Sequence, residues 1–159
     1  MHQAIQLTIS SEASNINLVG VTIRALDRLS PRLPRAMCNI NLVGVTIRAL
    51  CFATGISPVD AARIELGIVE ALNNIILHGG VNAPVTVSWH RAPQSISIEI
   101  EDRGRPLLHW PPRSEFPEPF EESGRGWPLI AACFDRIDYR VEASRNTLVL
   151  VKSRGVDST

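Results

Sequence analysis

The chain has no net charge, no cysteine pairing pattern and no long apolar run, and each lack removes a class of function. Sixteen basic residues meet sixteen acidic ones, so no overall field draws the molecule to nucleic acid or to an anionic membrane. The expected partner is a protein or a small molecule. Cys38, Cys51 and Cys133 are the only cysteines and form no CxxC pair. Their odd number, in apolar surroundings, argues against a disulfide framework or a zinc site and for reduced core thiols in a cytoplasmic protein. The greasiest segment, Ile40 to Ile56, is interrupted by Asn41 and Arg48, and no basic stretch followed by an apolar one opens the chain. A soluble, non-exported protein is therefore expected. There is no P-loop, no GxGxxG and no Ser-His-Asp order, which removes the commonest hydrolase and dinucleotide readings. His2, His90 and His109 have no companions at metal-ligand spacing, and His78 reads as a helix-end residue.

A length of 159 residues suits one domain with a sizeable core, since a chain near ~150 residues buries roughly 70% of its unfolded surface. Ile5, Leu7 and Ile9 alternate with polar neighbours, the period of a half-buried strand. Asn15 to Leu26 then reads NINLVGVTIRAL, and Asn39 to Leu50 repeats the same twelve residues unchanged. Two copies are too few for a solenoid, so this is a local duplication. Both copies are expected to be helical and to compete for one place on the core. The second should win it, because Cys51, Phe52 and Ala53 extend its apolar pattern where Asp27 and Arg28 interrupt the first. The first copy is then expected to dock elsewhere or on a neighbouring molecule, which makes a homodimer an expectation.

Gly55 can close one helix, while Ser57, Pro58 and Asp60 supply the N-cap, first-turn proline and capping-box acid of the next, expected from about Pro58 to His78. Val85, Val87 and Trp89 alternate as a strand, as do Ile96, Ile98 and Ile100. Residues 103–126, rich in proline, glycine and charge, read as a long functional loop. Pro128 can sit in the first turn of a short helix ending near Phe134. Strands at about 137–141 and 147–152 follow, joined by a turn at Ser144-Arg145-Asn146. This order predicts an α+β domain spanning residues 1–159: a two-layer sandwich with helices on one face of a mostly antiparallel, mixed sheet.

On the long helix, Ile64, Ile68, Ala71, Leu72 and Ile75 share one side; Arg63, Gly67, Glu70, Asn74 and His78 share the other. The second side sets a carboxylate, an amide and an imidazole in one row beside a glycine, although isolated acids and amides on helices are mostly solvated. Asp102 falls on the parity of Ile96, Ile98 and Ile100, where a carboxylate needs a polar partner such as a purine amine, unless it simply ends the strand in an Asp-x-Gly turn. Ser123-Gly124-Arg125-Gly126 precedes the short helix, offering bare amides to an anion or serving only as a turn.

Taken in order, Glu70-Ala71-Leu72-Asn73-Asn74 with His78-Gly79, Asp102-Arg103-Gly104, and Gly124-Arg125-Gly126-Trp127-Pro128-Leu129-Ile130 resemble the N box and the two glycine boxes of the GHKL, or Bergerat-fold, ATPases. The His-Gly ending and Phe134-Asp135-Arg136-Ile137-Asp138-Tyr139 resemble most the branch of anti-sigma-factor serine/threonine kinases. The resemblance runs from about Ile56 to Lys152 and implies ATP or ADP with Mg²⁺ as cofactors. It assigns Glu70 as the catalytic carboxylate, Asn74 as the magnesium ligand and Asp102 as acceptor of the adenine amine, with Gly104 admitting the base. Gly124, Arg125 and Gly126 would border the phosphates, and Thr147 would assist Asp102 through water. Magnesium prefers oxygen ligands and phosphoryl transfer rests on positioning and charge neutralisation, so these roles are chemically coherent.

The implied function is a transcription regulator that phosphorylates a serine or threonine on a small antagonist protein and otherwise holds a sigma factor. The alternative is a nucleotide-binding interaction switch without kinase activity, and a third reading keeps the boxes only as structure.

Overall fold

Strands come in pairs separated by helices, in the order β1 (Gln6–Ile9), β2 (Leu18–Ile23), α1 (Pro34–Ala53), α2 (Pro58–His78), β3 (Val85–Arg91), β4 (Ser95–Asp102), α3 (Gly126–Cys133), β5 (Arg136–Glu142) and β6 (Arg145–Ser153). The computed structural model describes residues 6–9, 18–23, 34–78, 85–112 and 125–154, and the side chains within 40–76, 85–112 and 125–154. The expected α+β arrangement is present. Six strands form one sheet in the order β1-β2-β3-β4-β6-β5.

Every pairing among the described strands is antiparallel, so the mixed sheet expected from sequence is corrected. Among the described residues two helices separate β2 from β3, and the chain returns to the end where β2 stops. Among the described residues one helix, α3, lies between β4 and β5, which would make those strands parallel neighbours. Instead β6 lies between them, antiparallel to both.

The helix signals act as read. Ser57 Oγ accepts the Asp60 N–H at 3.1 Å, the N-cap bond of α2, and its hydroxyl donates to Asp60 Oδ2 at 2.9 Å, so the acid answers the cap through the side chain. Gly55 takes the positive φ of 77° that ends α1, a conformation glycine adopts without Cβ strain. On α2 the buried side carries Ala61, Ile64, Ile68, Ala71 and Leu72; α1 adds Ile40, Val43, Ile47 and Cys51. Against them β3 and β4 present Val85, Val87, Trp89, Ile96, Ile98 and Ile100, and β6 adds Leu148 and Leu150. Burying each large apolar side chain contributes roughly 1.5–3 kcal/mol. The other face of the sheet is polar, with Glu99 near both His90 and Arg140 at 3.7 and 3.6 Å.

The duplicated twelve residues fold in two ways. The second copy lies in α1 and buries Ile40, Val43 and Ile47, as expected. The first copy is not helical where it is described: Leu18–Ile23 forms β2, with Val19, Val21 and Ile23 at register positions opposite Trp89, Val87 and Val85. Its place is in the sheet of its own chain, so the expectation of a displaced helix seeking another molecule is corrected. Its apolar positions fit both periods, Ile, Val, Ile and Leu at 16, 19, 23 and 26 for a helix and Val, Val and Ile at 19, 21 and 23 for a strand, and its β-branched residues suit a strand, so neither the 3.6-residue nor the two-residue period dominates. Local sequence leaves the choice open, and the surroundings of each copy make it. The hairpin between β5 and β6 also turns earlier than expected, at Ala143-Ser144, with Ala143 at φ 52° and Arg145 and Asn146 already in β6.

Gly67 explains why the polar side of α2 is not a solvent face. A Cβ at Gly67 would sit 2.6 Å from Phe134 Cε2 and 2.9 Å from Cys133 Cβ, so α3 packs directly on this glycine. Gly67→Leu gains about 1 kcal/mol of helix propensity but forces α2 and α3 apart, and overpacking of this kind costs about 1–3 kcal/mol or more. A lower urea midpoint is expected; an unchanged midpoint would show that the two helices do not approach so closely.

Candidate functional site

Between α2, the end of β4 and α3 the sheet leaves a cleft of about 890 Å³. Ala71, Asn74 and Ile75 come from α2, Asp102 from β4, and Gly126 and Trp127 from α3, while Tyr139 and Leu148 rise from the sheet floor. Residues 105–109 and Pro112 cross the remaining side. The cleft volume lies within the ordinary range for small-molecule sites, about 300–1,000 Å³.

Asp102 is 6% exposed and held in a closed polar ring. Its Oδ1 accepts the Gly104 N–H at 2.6 Å and Asn146 Nδ2 at 2.9 Å, and the same amide donates to the Gly104 carbonyl at 3.1 Å. Carboxylate and carbonyl oxygens only accept, so the Asn146 group that faces them must be its NH₂. Both bonds to Asp102 go to Oδ1, and Oδ2 has no hydrogen-bond partner among the described residues. This is the partner requirement read from the parity of β4, met by an Asp-x-Gly turn and a strand residue together.

At the other end Asn74 Nδ2 is buried without a hydrogen-bond partner. A Cβ at Gly126 would stand 3.1 Å from that nitrogen and 3.2 Å from Oδ1, so a side chain at residue 126 would make the Asn74 amide give by a few tenths of an ångström, and glycine lets α3 begin close against it. An amide turned by 180° presents oxygen where nitrogen stood. A buried, unpartnered amide on the cleft wall therefore fits a magnesium ligand that shares the ion with phosphates and water. Among the described residues no group of three or more His, Cys, Asp and Glu side chains could hold a metal by itself. Glu70 lies one turn before Asn74, half-buried and outside the cleft lining.

Aromatic side chains close the cleft margin. Trp110 meets Trp127 edge-on at 5.8 Å between centroids and lies tilted against Tyr139 at 5.3 Å. The Leu107 N–H donates to Tyr139 Oη at 3.0 Å. Burial pushes the Tyr139 hydroxyl above its usual range, and the Asp102 charge adds to this while the Leu107 N–H opposes it. The core thiols are inert for the same reason: burial pushes Cys51 up to about 12 and also raises Cys133.

Of the residues expected from sequence, Asn74, Asp102 and Gly126 line the cleft, and Gly104 joins it through the ring around Asp102. Arg125 is exposed and immediately precedes α3. Gly124 lies outside the described residues, as does the His78 side chain. Thr147 pairs with Glu101 in the β4–β6 register, and the place opposite Asp102 belongs to Asn146. His109, expected as a surface or structural residue, is exposed at the cleft mouth. Sequence reasoning missed Asn146 because it placed the hairpin turn over it. A two-residue turn at Ala143-Ser144 would have set Asn146 on the parity of Leu148 and Leu150.

The family model of the histidine kinase-like ATPase domain matches residues 35–152. No curated protein matches the chain. Among solved structures, the chain is similar to the crystal structure of the RsbU and RsbW domains of Rv1364c from Mycobacterium tuberculosis, with a TM-score of 0.56 at 17% identity. The likeness covers 86% of this chain and 33% of that one, so the chain spans a third of its neighbour's length. At that identity it concerns the fold. Among the described residues no helix is long and apolar enough to cross a membrane.

Proposed function

Because the chain belongs to the histidine kinase-like ATPase family, whose domain implies a nucleotide ligand, we propose that it is an anti-sigma-factor-type regulator. In this reading it binds ATP with Mg²⁺ and phosphorylates a serine or threonine of a small antagonist protein. The observation that carries it is the two-ended cleft, with the unpaired Asp102 Oδ2 at one end and the Asn74 amide against Gly126 at the other. A purine amine donates to Asp102, and Gly104 keeps the turn open beside the base. The phosphates run towards Asn74 and the start of α3, where Gly124, Arg125 and Gly126 border them. Asn74 would hold Mg²⁺, which supplies charge neutralisation when bound. Glu70 takes the proton of the attacking hydroxyl. The RsbU and RsbW domains of the similar solved structure support a setting of partner-switching proteins, with a sigma factor and an antagonist as partners.

A second reading, a nucleotide-dependent switch without transfer, is favoured by the position of Glu70 outside the cleft lining. Both readings require the nucleotide. Calorimetry with Mg-ATP is expected to show saturable binding. Ligand at about 100 times Kd should add about 2.7 kcal/mol of stability, a rise in Tm of roughly 5–10 °C. A folded sample that binds no ATP or ADP overturns both readings.

Asp102→Asn tests the base end. If the new amide turns its NH₂ towards Gly104 N–H and Asn146 Nδ2, donors face donors; if it turns its oxygen there, its NH₂ meets the base amine. Either way a charge-assisted bond of about 1.5–3 kcal/mol is lost, on the order of 10–100-fold in affinity. Unchanged affinity in titration calorimetry would place the base elsewhere.

A further inference from the structure

The ring around Asp102 assigns a role to a residue outside the three signature boxes. We propose that Asn146 is a positioning residue that makes Asp102 a one-oxygen acceptor and so sets the preference of the site for a base bearing an exocyclic amine. The inference rests on the cleft being a nucleotide site and concerns how that site distinguishes one purine from another.

A free carboxylate at the end of a strand can rotate and offer either oxygen, or both, to whatever enters. Here two donors from different parts of the chain converge on one oxygen. The Gly104 N–H fixes Oδ1 from the turn at 2.6 Å, and Asn146 Nδ2 fixes it from β6 at 2.9 Å. Asn146 is 3% exposed, and its register position is directly opposite Asp102. The second donation of its amide, to the Gly104 carbonyl at 3.1 Å, ties the turn to the same strand. With Oδ1 saturated, the carboxylate plane is set and Oδ2 is the atom left for a ligand. A ligand group there must donate. An amine at position 6 of a purine does so; a carbonyl at that position brings oxygen against a carboxylate oxygen, and neither can supply a hydrogen.

Thr147 cannot do this work. It belongs to the opposite parity of β6, opposite Glu101. Tyr139 is the other polar group on the sheet floor of the cleft, and its hydroxyl oxygen is engaged by the Leu107 N–H.

The test compares Mg-ATP with Mg-ITP, which carries a carbonyl in place of the amine and the same sugar and phosphates. In the unmodified protein ATP is expected to bind at least ~10-fold more tightly than ITP. Asn146→Leu keeps the size of the side chain and removes both donations, and Asn146→Asp keeps its shape but turns an acceptor on Asp102 and Gly104. In both variants the ATP-over-ITP ratio is expected to fall to within about threefold, chiefly through weaker ATP binding, while the phosphate-driven binding of ITP persists. A purely structural role would weaken both nucleotides together and leave the ratio unchanged. An unchanged ratio, or failure of both variants to fold, overturns the positioning role. If the unmodified protein binds neither nucleotide, the nucleotide-site reading itself falls and this inference with it.

Discussion

Glu70→Gln is expected to leave ATP affinity within about twofold of the unmodified protein and to cut phosphoryl transfer to an antagonist protein by about 10²–10⁴-fold, the usual contribution of a general base. The residue precedes Asn74 by one helical turn on the side of α2 that faces α3, yet it does not line the cleft. Removing its charge therefore touches neither Asp102 nor the start of α3, where affinity arises. Transfer needs more than affinity: the serine or threonine hydroxyl attacks the γ-phosphorus, the bond to the β-bridging oxygen breaks, and the hydroxyl proton must leave. Glutamine fills the same space and cannot accept that proton. Single-turnover transfer from radiolabelled ATP, measured beside calorimetry on the same sample, separates the two effects. Transfer that persists at the original rate removes Glu70 from the chemistry. A protein that binds ATP but transfers nothing even before substitution supports the switch reading instead.

The parts of this site legible in the sequence are those set by local rules. The N-cap at Ser57 with its partner Asp60, the glycine end at Gly55 and the parity of Asp102 each depend on neighbours within a few residues, and each is found in the structure. What the sequence hid depends on register between distant strands. Asn146 meets Asp102 across 44 positions, and a hairpin turn misplaced by one residue exchanges Asn146 for Thr147 at the site. Trp110 reaches Trp127 and Tyr139 only because the segment after Asp102 folds back over the cleft, and no periodicity announces such a return. In the sequence Gly67 reads as one member of the polar row on α2, and Gly126 as a residue of an anion-holding loop or turn. Their use is to let α3 lie against Phe134-side packing at one end and against Asn74 at the other. The duplicated segment marks the limit of local reading, since two identical strings have identical propensities and still fold differently.

Removing one copy turns that ambiguity into an experiment, because deleting residues 27–50 or residues 15–38 produces the same chain: in both, Ser14 is followed by one NINLVGVTIRAL and then Cys51. The single copy must be either β2 or the body of α1. As α1 it restores Ile40, Val43 and Ile47 with identical residues, Ile16, Val19 and Ile23, in contact with the core. Leaving those three places empty would cost roughly 5–9 kcal/mol at about 1.5–3 kcal/mol each, comparable to the whole stability of about 5–15 kcal/mol of an ordinary domain. Losing β2 is cheaper, because the edge of β3 then faces water, which satisfies its amides and carbonyls, and each backbone bond is worth only about 0.5–1.5 kcal/mol net. The helix is therefore expected to win. The family match points the same way, since it begins at residue 35 and includes the helical copy but neither β1 nor β2. In the shortened chain β1 leads directly into the two helices, so it takes the edge that β2 occupied by reversing its present direction, which is parallel to β3. We expect a folded protein with a five-stranded sheet, helical circular dichroism per molecule unchanged, and ATP affinity within about threefold of the full chain, less than 1 kcal/mol. Amide exchange along Val85–Arg91 should remain slow, protected by β1 in place of β2. Loss of a helix's worth of ellipticity, or loss of ATP binding, would mean that the copy prefers the sheet and that the strand, not the helix, is what the core cannot spare.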